Sequence, residues 1–521
     1  MIRLTKMPAL AVLAIVAFGA FAFVQQINDQ GWVSDDYAEV FNNGFTPCTG
    51  LGQALKLCGD GRYSVARVVG LPVKLYCGYW LGPIGSHYLQ AALHIACALV
   101  FFRLLLMLGF SLFTSTLAAV IFVVSPWLSQ AVIWWATMIT PAGTLCILLA
   151  ACLYVRMLQR RKSRWLSMLL ICVLVVMSLC FYELWLFAPL LFVFIDIYCF
   201  LDQSSEKLKG SLCRRCLERA LANTWPIFAV VALWAIAYKL TRYSQMRDGD
   251  LVLKRVMLVT LSVHLRSYAW ITQTPWVTAL RDGVRYAGAW WIALLIGVVS
   301  LFGIVISSRA LNPAPAGVSP RRRLFLGAFL AWGLFLSSRL VFIFLGGVGL
   351  NTRHNHGGAL GGALLLACLC ECAFATRLGQ RAVGYALMIL ILLMVSLLAT
   401  ASAGIRHHYI ATSRAEQATV KMLTPIAADL PGDDSILVFG SATDTEGELG
   451  YFSEDSGRWL ESWMRKVNPS IHCYVVPSVR FENDDVVFQP VGRTGLPPET
   501  RLGLRHVRIF HWTAGRLQEM R

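Results

Sequence analysis

Two adjacent carboxylates, Asp35 and Asp36, follow closely on the first apolar segment, which runs from Ala9 to Val24. At a membrane–water interface the low dielectric shifts carboxylate pKa values, while water and polar ligands can still arrive. A carboxylate held there can accept a proton from a hydroxyl group. The pair is therefore a candidate general base, and the alternative is two solvated loop carboxylates that cap a helix beginning near Ala38.

The composition places this pair in a membrane protein. The 521 residues are 57% hydrophobic and only 14% charged, with a mean hydropathy of +0.60. So few charges cannot cover a soluble core of this size, and the apolar runs match a bilayer in length. The formal net charge of +17 comes from basic residues that cluster in short loops between apolar runs, so we expect the lipid bilayer, and no nucleic acid, as partner.

We predict an α-helical polytopic protein with about eleven transmembrane helices. The predicted spans are 8–24, 86–108, 111–127, 138–156, 165–181, 184–201, 223–241, 286–308, 324–345, 358–376 and 382–401. The even-numbered connections are basic, which indicates a cytoplasmic N-terminus and an external first loop, 25–85. If that loop is in an oxidising compartment, Cys48 and Cys58 could pair.

Two further stretches interrupt the pattern of spans. Residues 125–136 are apolar but broken by proline and polar residues, which predicts an interfacial or re-entrant segment with tryptophan at the headgroup level. From residue 402 charges become frequent and short β-like runs appear at 435–439, 471–476, 485–488 and 506–511, after a helix-like stretch, 411–430. We therefore expect a transmembrane domain, 1–401, and a small extracytoplasmic α/β domain, 402–521.

Four features in order along the chain resemble the GT-C superfamily of integral-membrane glycosyltransferases. They are the Asp35-Asp36 pair after the first span, the stretch His87 to His94, the stretch Ala118 to Trp134, and Tyr182-Glu183 ahead of Pro189. Their order is similar to that in protein O-mannosyltransferases and multi-span relatives, over about the first 200 residues plus the topology. The relatives often carry lysine where this chain has Tyr182.

The resemblance implies a bacterial inner-membrane enzyme that takes a sugar from a polyprenyl-phosphate carrier, such as undecaprenyl phosphate. The acceptor would be periplasmic: lipopolysaccharide or O-antigen, another cell-surface glycan, or a protein. It also implies inversion at the anomeric carbon, with Asp36 slightly preferred over Asp35 as the base. Glu183 would contact the acceptor or orient the base, or would only be interfacial.

A phosphate leaving group needs cations, and arginine suits it because its planar fork gives paired hydrogen bonds. Arg339 is notable because it lies inside an apolar run, where a charge needs a partner such as Glu183 or a lipid phosphate; a structural ion pair is the alternative. Further donor-site candidates are Arg62, Arg353, His354 and His356. The substrate-binding candidates are His87, Trp134 and Tyr37.

Some features keep other interpretations open. His94, deeper in the second span, is expected to be a satisfied core histidine. No cofactor is required, although Asp35, Asp36 and Glu39 could bind Mg²⁺ or Mn²⁺ without forming a defined metal motif. A transporter or flippase for lipid-linked sugars would also show many spans, but no internal repeat is evident. An O-antigen polymerase-like protein would be expected to carry its arginines in large later loops.

Overall fold

The structure is a computed structural model that describes most of the apolar runs and part of the tail. The described residues are 9–25, 27–30, 52, 69–160, 164–203, 210–241, 276–311, 320–344, 355–377, 381–431, 434–439, 460, 464, 467–468, 470, 472–476, 479–488, 500–513 and 516–520.

The protein is a polytopic α-helical membrane protein with a small C-terminal strand region. Its helices are α1 (Ala9–Phe23), α2 (Gly70–Met107), α3 (Leu112–Val123), α4 (Ser129–Ile133), α5 (Ile139–Arg160), α6 (Arg164–Phe181), α7 (Ala188–Gln203), α8 (Gly210–Thr241), α9 (Trp276–Tyr286), α10 (Trp291–Leu311), α11 (Pro320–Phe344), α12 (His356–Arg377) and α13 (Arg381–Asp429). Within the described ranges, nine helices are long and apolar enough to cross a membrane.

Helices occur at all eleven predicted spans, but two of them are shorter than predicted. The span predicted at 111–127 is α3, whose 12 residues extend about 18 Å, because the chain turns at Pro126 into a 3₁₀ turn. The span predicted at 184–201 begins only at Ala188, after a 3₁₀ turn at Glu183–Trp185. One helix is longer than predicted: α13 has 49 residues and continues past position 401 into the tail.

Contacts between helix ends define two ends of the bundle. At one end, which we call the loop end, α1 finishes, α12 begins and α13 leads towards the strands. At the opposite end, which we call the basic end, the buried carboxylate of Asp196 accepts hydrogen bonds from Tyr154 (2.9 Å) and Asn223 (2.7 Å). Glu371 also lies there and accepts from Thr114 Oγ1 (2.5 Å). Burying these acids with donors avoids an unpaired charge in the bundle.

The stretch predicted to be re-entrant is broken as expected and is covered by protein. It forms a 3₁₀ turn (Pro126–Leu128), the short helix α4 and a second 3₁₀ turn (Trp135–Thr137). Trp134 is 5% exposed and Trp135 fully buried, and the expectation that tryptophan lies at the headgroup level stays a prediction. Because non-helical backbone is tolerated at membrane depth only when protein covers it, this burial explains how the segment can leave the helix.

The tail forms two sheets from β1 (Ser435–Phe439), β2 (His472–Val476), β3 (Arg480–Glu482), β4 (Asp485–Phe488), β5 (Thr500–Gly503), β6 (Val507–Thr513) and β7 (Arg516–Glu519). The first has the order β2-β1-β6-β7, in which β1 is parallel to β2 and β6 and β7 is antiparallel to β6. The second is an antiparallel sheet of order β3-β4-β5. The four predicted β-like runs are confirmed.

The strand region packs directly on the loop end of the bundle. One apolar cluster joins Trp135 and Met138 to Leu423 on α13 and to Ile436 and Phe510 on the first sheet. Trp135 and the two sheet residues are fully buried. Burial of large apolar side chains is the main favourable term in such packing, so the cluster fixes the tail against the broken segment.

Candidate functional site

The last turn of α1 is held at the loop end by a buried arginine from α13. Arg406 is 1% exposed and donates from Nε to the Gln25 carbonyl (2.9 Å), from Nη2 to Gln30 Oε1 (2.6 Å) and from Nη1 to the Phe23 carbonyl. Carbonyls at a helix C-terminus have no intrahelical donor, and a cation there complements the helix dipole. Arg406 therefore fixes the direction in which the chain leaves α1.

Two buried glutamines connect that exit to the broken segment. Gln30 Nε2 donates to the Ile133 carbonyl (3.0 Å). Gln90 Nε2 lies 2.9 Å from the Ala131 carbonyl and 2.7 Å from the Trp134 carbonyl. These side chains satisfy backbone groups that no helix satisfies, which is the requirement for irregular backbone inside a membrane protein. The first described stretch of this loop thus ends, at Gln30, against the backbone next to Trp134.

A pair of buried histidines lies beside this anchor. His94 and His356 are both fully buried, and His94 Nδ1 lies 3.1 Å from His356 Nε2 although the two residues are 262 positions apart. The outer nitrogens reach the Val123 carbonyl (3.2 Å) and Thr144 Oγ1 (3.1 Å). The ring of Phe23, whose carbonyl accepts from Arg406, packs edge-on against His94. The pair and the anchor are therefore contiguous.

The protons of this network can be assigned with both histidines neutral. Trp185 Nε1 donates to Thr144 Oγ1 (3.2 Å), and the Thr144 hydroxyl has two acceptors within reach, the Thr140 carbonyl (3.0 Å) and His356 Nδ1. When the hydroxyl donates to His356 Nδ1, His356 Nε2 donates to His94 Nδ1 and His94 Nε2 donates to the Val123 carbonyl. Every ring nitrogen has one partner in this assignment. His94 is thus a satisfied core histidine, as predicted.

Arg339, predicted from its position in an apolar run, lies on α11 close to the start of α12. It is 6% exposed, and its Nε and Nη1 atoms are buried without a hydrogen-bond partner among the described residues. Within the part of the chain that the structure describes, no acid lies within 4.0 Å of it, so an ion pair with Glu183 is not formed. Its guanidinium lies over the ring of Phe335, 5.7 Å from the centroid. Burying a cation is costly unless its donors find partners, so Arg339 stays a candidate for binding an anion.

Two glycines at the start of α12 allow this arrangement. A Cβ on Gly358 would lie 2.9 Å from Arg339 Nε, and a Cβ on Gly357 would lie 2.5 Å from Ser338 Cβ and 2.9 Å from the Trp185 ring. Any larger residue would push α12 away from α11, since small residues are what let membrane helices approach closely. His356 directly precedes these glycines, so its bonds to His94 and Thr144 also hold Gly357 and Gly358 in place.

Glu183 lies in the 3₁₀ turn that ends with Trp185, between α6 and α7. The carboxylate is mostly buried, at 9% exposure, and Trp185 of the same turn bonds the histidine network through Thr144. The structure therefore brings Glu183, Arg339 and His356 to one end of the bundle and to adjoining elements. His87 is 1% exposed on α2, one turn from Gln90, and Trp134 adjoins Gln90 and Gln30, so both also belong to this end.

Several predicted residues are not part of the described structure. Asp35, Asp36, Tyr37, Arg62, Arg353 and His354 lie outside the described residues, as do Glu39, Cys48 and Cys58. The described anchor ends at Gln30, five positions before Asp35. Among the described residues, no group of three or more His, Cys, Asp or Glu side chains could hold a metal ion. The roles predicted for the aspartates and for the loop cations stay predictions.

Sequence reasoning missed Arg406, Gln30 and Gln90. A usable signal was present for Arg406, because it follows the apolar run 382–401 closely and a charge at that depth needs a partner. Its two backbone acceptors, however, are the carbonyls of Phe23 and Gln25, some 380 positions earlier in the chain. No pattern of side chains predicts them. The loop end therefore contains two buried arginines, Arg339 and Arg406, and in the described part neither has an acid within 4.0 Å.

Comparisons with known proteins add little to this picture. The chain is similar to the crystal structure of ArnT from Cupriavidus metallidurans bound to undecaprenyl phosphate, with 15% identity over 90% of this chain and 86% of that chain, at a TM-score of 0.31. A likeness at this identity and TM-score carries no argument. No protein-family profile matches the chain, and no curated protein sequence does. The function must therefore be inferred from the residues of the loop end.

Proposed function

We propose that the chain is a GT-C-like glycosyltransferase of the bacterial inner membrane, which moves a sugar from a polyprenyl-phosphate carrier to a periplasmic acceptor. In this proposal the N-terminus is cytoplasmic and the loop end faces the periplasm together with the strand region. The acceptor is lipopolysaccharide or O-antigen, another cell-surface glycan, or a protein. The observation that carries the proposal is the buried guanidinium of Arg339 at the loop end, whose Nε and Nη1 atoms have no partner in the described part of the chain.

Arg339 fits the donor phosphate by charge and by geometry. A sugar on a lipid phosphate already has a good leaving group, so the enzyme must stabilise the negative charge that develops as the phosphate departs. The Nε and Nη1 donors of Arg339 are buried and have no partner among the described residues, so a donor on each of the two hydrogen-bonding edges of the guanidinium remains for phosphate oxygens. In the low dielectric of the bundle such a contact is stronger than in water.

The base is assigned to Asp36, with Asp35 as the alternative. The acceptor hydroxyl oxygen attacks the anomeric carbon, the bond from that carbon to the phosphate oxygen breaks, and the hydroxyl proton passes to the aspartate carboxylate. Polyprenyl phosphate leaves with the bonding electron pair, and attack from the opposite face inverts the anomeric centre. What supports this assignment is the described anchor: Arg406, Gln25 and Gln30 hold the chain where the loop with the aspartates begins.

The other residues of the loop end take supporting roles. Glu183 contacts the acceptor or orients the base from its buried turn, and His356 positions Gly357 and Gly358 beside Arg339. His87, Trp134 and Tyr37 line the substrate path, and Arg62, Arg353 and His354 supply further positive charge to the donor phosphate. Mg²⁺ or Mn²⁺ on Asp35, Asp36 and Glu39 remains an optional element of the proposal.

A transfer assay tests the proposal. Purified protein is incubated with a panel of undecaprenyl-phosphate sugars and candidate acceptors, with and without chelator, and the sugar transferred is measured. We expect transfer from at least one donor, loss of transfer in Asp36→Asn, and normal transfer in Asp29→Asn, whose exposed side chain pairs with Arg414 (3.1 Å). Full activity of Asp36→Asn would move the base to Asp35 or away from this loop.

The same preparation separates the transferase from the alternative. Reconstituted in liposomes, a transporter would move a labelled lipid-linked sugar across the bilayer without forming a glycosidic product. Translocation without transfer, for every donor in the panel, would overturn the proposal.

A further inference from the structure

Helix α9 is fixed against α13 by an unusually close backbone contact. A Cβ on Gly404 would lie 1.8 Å from the Ala279 carbonyl oxygen, and a Cβ on Gly283 would lie 2.0 Å from the Thr400 carbonyl oxygen. Neither position accepts a side chain, so the two helices touch backbone to backbone. Helix α9 is therefore held in one position on the outer surface of α13.

Side chains at the same contact add polar links. Asp282 is 6% exposed, and its carboxylate lies 3.2 Å from His408 Nε2 and accepts from Arg281 Nε (3.1 Å). The rings of Tyr286 and His407 stack with centroids 3.5 Å apart. The single acid of α9 is thus shared between a histidine and an arginine, and none of the described residues pairs with the terminal nitrogens of Arg281.

The exposed side of α9 has two adjacent stripes. Val277 and Val284 are 81% and 54% exposed and lie two turns apart on one side. Arg281 and Arg285 are exposed and lie one turn apart next to them. An apolar stripe beside a basic stripe is the pattern of a helix that lies in the membrane interface, with valine towards the acyl chains and arginine towards the headgroups. With two arginines and one acid, α9 carries a net positive charge.

Directly beneath Arg281 an open groove of about 460 Å³ runs between α9, α10 and α13. Its lining is apolar apart from Arg281 and two hydroxyl groups. The lining residues are Leu280, Arg281, Val284, Trp291, Leu294, Ser396, Leu397 and Thr400. Trp291 is 40% exposed at the first position of α10, as expected for a tryptophan at the interface depth. The groove is therefore apolar along its membrane-facing length, with the guanidinium of Arg281 at the rim near the interface.

We infer that this groove is a binding site for an anionic phospholipid of the bilayer, with one acyl chain in the groove and the phosphate on Arg281 and Arg285. Charge complementarity favours an anionic headgroup, because Asp282 neutralises only one of the two arginines. Arginine binds a phosphate through its fork, which a zwitterionic headgroup partly cancels with its own cation. The site is separate from Arg339, which is buried on α11 next to the start of α12.

A bilayer phospholipid is the occupant favoured by mass action. It is present in the surrounding leaflet in large excess over any carrier lipid, and occupancy follows the ratio of ligand concentration to dissociation constant. A bound lipid would fill the groove and neutralise the remaining charge of α9. This would stabilise the contact between α9 and α13, and Arg406 lies within the same stretch of α13, between Gly404 and His407.

Native mass spectrometry of the full-length protein in detergent tests the site. The protein is titrated with dioleoyl-phosphatidylglycerol and, in parallel, with dioleoyl-phosphatidylcholine. We expect phosphatidylglycerol to bind more tightly, and Arg281→Gln to weaken its binding about tenfold, the loss expected for a charge-assisted contact. Leu397→Trp, which fills the groove and leaves both arginines in place, should also weaken it. Arg214→Gln, at an exposed side chain of the basic end, should leave it unchanged.

Three results would overturn the inference. They are equal affinity for the two phospholipids, unchanged phosphatidylglycerol binding in both Arg281→Gln and Leu397→Trp, and a site that takes undecaprenyl phosphate in preference to phosphatidylglycerol. None of these readouts depends on glycosyl transfer, so this test of the lipid site is independent of the test of the proposed function.

Discussion

Replacing Arg406 by methionine should loosen the exit of α1 from the bundle. The guanidinium is 1% exposed and supplies donors to the Phe23 and Gln25 carbonyls and to Gln30 Oε1. Methionine keeps much of the volume and removes all these donors. Each buried acceptor left unpaired costs about 1–3 kcal/mol, and part is regained because a buried charge disappears as well. We expect a net cost of about 2–4 kcal/mol for local opening.

Hydrogen–deuterium exchange followed by mass spectrometry measures this directly. A loss of about 2–4 kcal/mol corresponds to an increase of at least about tenfold in the exchange rate of the amides at 24–30, because tenfold is about 1.4 kcal/mol. Arg414→Met is the matched control: Arg414 lies on the same helix and pairs with Asp29 (3.1 Å) of the same segment, but both side chains are more than half exposed. An exposed pair contributes at most about 1 kcal/mol, so exchange should change little.

The comparison between the two variants shows whether Arg406 holds the exit of α1. If Arg406→Met and Arg414→Met raise exchange at 24–30 equally, or if neither does, Arg406 does not hold the exit of α1. The reasoning that a buried arginine can be satisfied by carbonyls alone would then be refuted for this site.

Two further perturbations test the packing of the loop end. Gly404→Ala should lower the yield of folded protein and its thermal stability in detergent, since the added Cβ would lie 1.8 Å from the Ala279 carbonyl oxygen. Gly362→Ala is the control and should be neutral, because no atom lies within 4 Å of the added Cβ. Equal stability of the two variants would refute the close contact. His94→Ala and His356→Ala should each lower the free energy of unfolding measured in denaturant titrations. The loss in the double variant should be smaller than the sum of the two single losses by about 1 kcal/mol or more, because the two residues share one hydrogen bond. Strict additivity of the losses would contradict that bond.

The spans were predictable from sequence because apolar runs of membrane length leave few alternatives. The residues at which the spans begin and end were less predictable. Helix α13 continues to Asp429 because a helix can outlast the apolar run once its residues reach the interface, and hydropathy reports the bilayer rather than the helix. The sixth span was placed too early because Glu183–Trp185 forms a 3₁₀ turn, whose apolar residues look like helix in a hydropathy profile.

The candidate site was predictable where a single residue breaks a rule. Arg339 could be singled out because arginine inside an apolar run demands an explanation. The pairing of His94 with His356, across 262 positions, could not be predicted because long-range contacts between single polar residues leave no periodic pattern. Trp134 is buried in the core of the helix bundle, and its neighbour Trp135 is covered by the strand region; a local sequence window shows neither contact.

Binding of undecaprenyl phosphate to Arg339 variants tests the central claim most directly. Native mass spectrometry of the full-length protein would give the dissociation constant for the wild type, Arg339→Lys, Arg339→Gln and the control Arg214→Gln, at an exposed side chain of the basic end. The account predicts weaker binding in Arg339→Lys, which keeps the charge and loses the fork, and a loss of about tenfold or more in Arg339→Gln, with Arg214→Gln unchanged. Equal dissociation constants for the wild type and Arg339→Gln would contradict the assignment of Arg339 to the donor phosphate.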